Sequence, residues 1–181
     1  MMNEQRTIVT NRDIVARLVP SGTKVDVPKG SFVNLRQALG GSYTVTVNGN
    51  MIRIDGMDAD AIGQEPLIIE YEAVDPDGKV HLGDIWKTLE TIFDPEIPVN
   101  VVALGLVYAC DVISREGKNV VQIRMTLTAP TCGMGEVLTG DIVDRVSKVP
   151  NVDQVEVEIV FDPPWTYDNL TEEAQIELGL I

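Results

Sequence analysis

The chain has two cysteines and one histidine. Cys110 and Cys132 cannot make a disulfide framework, and neither a Cys-x-x-Cys pair nor paired histidines occur. One chain therefore cannot fill a zinc or cluster site with thiolates; a second chain, a partner or small-molecule ligands must contribute. Positive charge is also scarce, with 14 Lys and Arg against 28 Asp and Glu and a formal charge of −14. That balance disfavours nucleic acid and anionic membrane surfaces, which need basic patches, and suits a basic partner. No apolar run approaches the ~20 residues that span a bilayer, and Met1-Met2-Asn3-Glu4-Gln5-Arg6 lacks a signal-peptide core. A cytoplasmic protein is expected. No Gly-Lys-Ser/Thr accompanies Gly40-Gly41, which leaves a turn rather than a phosphate loop there.

What is present is globular in character: 44% hydrophobic and 23% charged residues give no indication of disorder. A length of 181 residues admits one ordinary domain or two small ones. Two are expected: a small, β-rich module over residues 1–80 and a second unit over 81–181. In the first, Pro20-Ser21-Gly22 and Pro28-Lys29-Gly30 are turns, while Asn11 to Val19 and Phe32 to Leu39 fit either helix or strand. Tyr43 to Val47 and Asn50 to Ile54, joined by Asn48-Gly49, predict a hairpin, and Leu67 to Val74 predicts a further strand. Asp55, Asp58 and Asp60 lack the Gly and terminal Glu of a calcium loop in their places, so a solvated acidic turn is expected.

In the second unit Asp84 can cap a helix carrying Ile85, Trp86, Leu89, Ile92 and Phe93, which Asp94-Pro95 ends. Leu104 to Ile113 and Val120 to Thr128 read as antiparallel strands around a turn at 114–119, with Cys110 packed beside Leu106, Tyr108 and Val112. Met134, Leu138, Ile142, Val146 and Val149 then repeat at helical spacing, leaving Glu136, Asp141, Asp144, Arg145 and Lys148 on the remaining surface. Val152 to Phe161 alternates as a third strand. Asp162-Pro163-Pro164-Trp165 breaks it, with Trp165 as a lid over the core or a partner anchor. Thr171 caps a last helix. The fold class is α+β: a small, mostly β N-terminal module, then an α-β-β-α-β-α domain with helices on one sheet face.

Cys132 falls at the junction between the second strand and the helix, between Pro130 and Gly133-x-Gly135. First-turn amides lack intrahelical partners, and the positive end of the dipole favours a thiolate, which attacks electrophiles and binds soft metals. The glycines leave the sulfur accessible. A small buried cysteine is the alternative. Thr126 and Thr128, on the strand face opposite Met125 and Leu127, either line this site or form an ordinary polar face.

Four motifs occur in order: Asp94-Pro95-Glu96-Ile97-Pro98, Leu104-Gly105-Leu106-Val107-Tyr108, Met125-Thr126-Leu127-Thr128-Ala129-Pro130-Thr131-Cys132 and Asp162-Pro163-Pro164-Trp165. From about Asp84 to the C-terminus the chain resembles the metal-sulfur cluster assembly domain found in SufT and in eukaryotic cytosolic iron-sulfur targeting factors. The N-terminal extension, with Gly40-Gly41-Ser42-Tyr43 and Asp58-Ala59-Asp60-Ala61, resembles SufT in particular. The resemblance implies a non-enzymatic iron-sulfur assembly factor whose partners are assembly proteins and apo-clients. It also implies that the carboxylates of Asp94 and Glu96 lie near Cys132, where they would orient a metal or take a proton. Cys132 would hold iron or a cluster only transiently, because one soft ligand with a carboxylate makes a weak, exchangeable site. A homodimer would offer two such thiolates. Two other functions fit the residues. One is a cysteine enzyme using His81 as base; the other is a docking module in which Cys132 is dispensable.

Overall fold

The computed structural model describes residues 6–39, 41–94, 97–129, 133 and 135–181. The described N-terminal half is an antiparallel sheet of six strands. They are β1 (Arg6–Val9), β2 (Ile14–Leu18), β3 (Lys24–Val27), β4 (Phe32–Leu39), β5 (Ser42–Val47) and β6 (Asn50–Asp55), in the order β1-β4-β5-β6-β2-β3. Both segments that fit helix or strand are therefore strands, since β2 and β4 find partners on each side. The β5–β6 hairpin turns at Asn48 (φ 49°) and Gly49 (φ 80°), the two positive φ values of a type I′ turn. Val33, Val45, Ile52, Ile54 and Ile62 centre its apolar cluster.

The second unit runs α1 (Leu82–Leu89), β7 (Val107–Arg115), β8 (Lys118–Met125), α2 (Gly135–Val146), β9 (Gln154–Ile159) and α3 (Glu172–Glu177), the expected α-β-β-α-β-α order. β7 pairs antiparallel with β8 around Glu116-Gly117, and β9 lies parallel to β8 on its other side. The parallel pairing requires a crossover, which α2 supplies. Ile85, Leu89, Leu106, Ile123, Met125, Leu138, Ile142 and Val146 form a second apolar cluster.

Several expectations need correction. Leu67 to Val74 forms no ladder: Leu67 N donates to Gly56 O and Glu72 N to the Asp84 carboxylate, so this alternating run is an extended strap lying along the surface. Asp84 is accordingly not a cap; His81 holds that position, without a side-chain hydrogen bond. α1 stops at Leu89, leaving Ile92 and Phe93 beyond it, and β7 begins at Val107 rather than Leu104. Asp55 caps a 3-10 helix (Gly56–Ile62) through Met57 N, and Asp58 and Asp60 pair with Arg12, so the acidic stretch is tied rather than simply solvated. Asp141 and Arg145 are buried, because α2 packs one face on its own sheet and turns the other toward the N-terminal sheet. There Arg17 donates twice to Asp144 at 2.7 Å, and Arg53 Nε lies 2.9 Å from Asp141 Oδ2. Arg145 donates to Asp55, Gly41 O and Ser42 Oγ on one side and to Thr91 O on the other.

Candidate functional site

β8 is held to its last residue on both sides: Val160 N donates to Met125 O and Thr126 N to Leu106 O, each at 2.8 Å. The chain then leaves the carboxyl end of the strand and enters α2 at Gly135. This is where open α/β sheets place ligands, since loop atoms converge there on the unpaired amides of a helix N-terminus. Cys132 and Glu96 lie outside the described residues. Gly133, the residue after Cys132 in the sequence, is exposed.

Thr126 is fully buried, and its Oγ1 has no hydrogen-bond partner among the described residues. The strand alternation predicted a polar face for it; because β8 ends at Met125, Met125, Thr126 and Leu127 are buried in succession. Thr128 is half-buried. Asp94 is 2% exposed, and its Oδ1 accepts from Ile97 N at 2.8 Å while its own N–H donates to Val99 O. It thus folds the 94–99 loop back on itself, the local role open to any Asp in a turn. Backbone hydrogen bonds from Val101 to Ile92, Leu106 to Val101 and Thr126 to Leu106 carry this loop to the end of β8. Asp94 and Thr126 therefore belong to one end of the unit. His81 does not join them: it starts α1, and ~12 Å of helix separates it from the end that leads into the Asp94 loop.

Cys110 packs against the second core, and burial, with the Asp111 carboxylate adding, pushes its thiol up to about 11. It is protonated at neutral pH. Trp165 also packs on that core and donates its indole N–H to Leu104 O at 2.6 Å, the role of a lid. Among the described residues no group of three or more His, Cys, Asp or Glu could hold a metal ion, and no helix is long and apolar enough to cross a membrane.

Beside Gly133 opens a groove of about 710 Å³ that no sequence motif announced. Leu127, Ile159 and residues of α2 line it from the second unit, and Arg17, Pro20 and Ser21 line it from the N-terminal sheet. The β2–β3 turn can approach because Gly22, at φ 75°, has no side chain: a Cβ there would sit 2.9 Å from Glu136 O.

Residues 83–159 match the family described as iron-sulfur cluster assembly protein. A Porphyromonas gingivalis Fe-S protein maturation auxiliary factor is 42% identical over 98 residues, 54% of this chain and 90% of its own. The Bacillus subtilis factor YitW is 36% identical over 97 residues, 54% of this chain and 92% of its own. The Staphylococcus aureus factor SufT is 36% identical over 89 residues, 49% of this chain and 98% of its own. These relatives are thus almost wholly accounted for by about half of this chain. Motif order, α-β-β-α-β-α succession and near-complete coverage of shorter relatives agree: this chain belongs to the iron-sulfur cluster assembly protein family.

Proposed function

We propose that the protein is a non-enzymatic maturation factor for iron-sulfur proteins, in which Cys132 takes iron or a cluster as transient cargo and passes it to an apo-client. The observation that carries this reading is the likeness of its second unit to proteins named Fe-S protein maturation auxiliary factors, over nearly their whole length. The geometry supports it further: the thiol-bearing loop leaves the carboxyl end of β8 for the N-terminus of α2, where the dipole favours a thiolate. At the end of β8 the buried Thr126 hydroxyl, which has no partner among the described residues, is available to donate to a sulfur or a bound oxygen, at a cost of ~1–3 kcal/mol while unpaired. Thr128 lines the exit of the strand. Asp94 shapes the loop it belongs to, and in this reading Glu96 is the second carboxylate for the cargo. Remaining ligands come from the donor, the client or the second thiolate of a homodimer, which keeps the cargo exchangeable. The partners are iron-sulfur assembly proteins and apo-clients.

The test is anaerobic reconstitution of wild type and Cys132→Ser with iron and sulfide, read by metal analysis and visible absorption after desalting. Wild type retains iron or cluster and the variant loses it. In cells lacking the protein, Cys132→Ser fails to restore an iron-sulfur enzyme's activity while His81→Ala restores it. Full restoration by Cys132→Ser would leave an adaptor that works without its thiol.

A further inference from the structure

The N-terminal sheet has no place in the carrier reading, yet it supplies a wall of the groove beside Gly133. Gly133, which follows Cys132 in the sequence, lines that groove. The floor is apolar, from Leu127, Val143 and Ile159, and it is the polar rim that selects an occupant. Arg17 on that rim is already neutralised, donating twice to Asp144 and once to Gly22 O. Glu136 is exposed and forms no ion pair among the described residues. The groove therefore presents one uncompensated carboxylate above an apolar floor, in a chain of net charge −14. A cationic segment is drawn to that carboxylate.

We infer that this groove docks an extended client segment with a cysteine among apolar residues and a flanking lysine or arginine, and that the β2–β3 turn makes the N-terminal sheet its specificity element. The inference rests on the carrier reading for the occupant's cysteine, since an acceptor thiol must come to rest beside Cys132. The apolar neighbours fill the floor, and the basic residue meets Glu136.

The probes are two fluorescein-labelled peptides, one with a cysteine between leucines and a flanking lysine, the other with glutamate for that lysine. Binding to the full chain is read by anisotropy under reducing conditions. Wild type binds the lysine peptide about tenfold more tightly than the glutamate peptide, and Glu136→Lys reverses the preference, which misfolding cannot imitate. Thr139→Trp, which fills the groove, weakens the lysine peptide about tenfold or more. Cys132→Ser binds as wild type does, so failure of the thiol as a cargo ligand leaves the docking result standing. The inference is overturned by equal binding of the two peptides, by no binding of either, by a preference that Glu136→Lys leaves unchanged, or by self-association of wild type that Thr139→Trp abolishes.

Discussion

Thr126 shows how far a single residue departs from its strand pattern. Alternation of Val121, Ile123 and Met125 with Gln122 and Arg124 holds as far as the ladder runs and ends with it at Met125. One step later a hydroxyl is buried without a partner among the described residues. A buried donor left unmade costs stability, so replacing it with an apolar group of the same shape costs nothing or helps. Thr126→Val is expected to unfold at or above the wild-type temperature, by scanning calorimetry, while retaining less cargo after reconstitution. Loss of both properties would make the hydroxyl structural. The thiol's place between strand and helix was legible, because Pro130 and the glycines punctuate the chain there. The burial of Asp94 and Thr126 was not, since burial depends on segments distant in sequence.

Among the elements, the hairpin at Asn48-Gly49 and the cap at Thr171, which accepts from Ala174 N, followed from local chemistry alone. The strap from Leu67 to Val74 did not. It has a strand's alternation, but its N–H groups go to separate partners, and a sequence pattern cannot tell an extended strap from a paired strand. Close approach was equally hidden. Gly105, between the Asp94 loop and β7, sits at φ 72°, and a Cβ there would run into the Asn169 carbonyl. Gly105→Ala is expected to cost about 2–3 kcal/mol by urea denaturation, from the left-handed backbone and the displaced 3-10 turn Tyr167–Asn169 together. A change within about 0.5 kcal/mol would mean that this turn moves freely.

For the whole molecule, the deciding contact is α2 against the N-terminal sheet. Arg145 is fully buried and joins that sheet, through Asp55, Gly41 and Ser42, to Thr91 just past α1. Arg145→Ala strands the Asp55 carboxylate and is expected to cost about 3–5 kcal/mol, read by chemical denaturation. Asp141 lies in the same interface, where burial pushes it up to about 6 against the partial offset of Arg53 and Arg145. The folded state then holds a proton more tightly than the unfolded chain, whose ordinary value is 3.8. Stability from this group is gained as pH falls through about 6 and is complete below 3.8. In Asp141→Asn that segment of the profile of melting temperature against pH flattens; an unchanged slope would assign it to another group. The sequence by itself determined the α+β class, the element order of the second unit and the thiol at its strand-to-helix corner, because periodicity, proline and glycine act locally. Only the tertiary structure decided that Asp141 and Arg145 face inward and that the β2–β3 turn walls a groove beside Gly133. A helix's polar stripe reads the same whether it meets water or polar partners folded against it from a distant part of the chain.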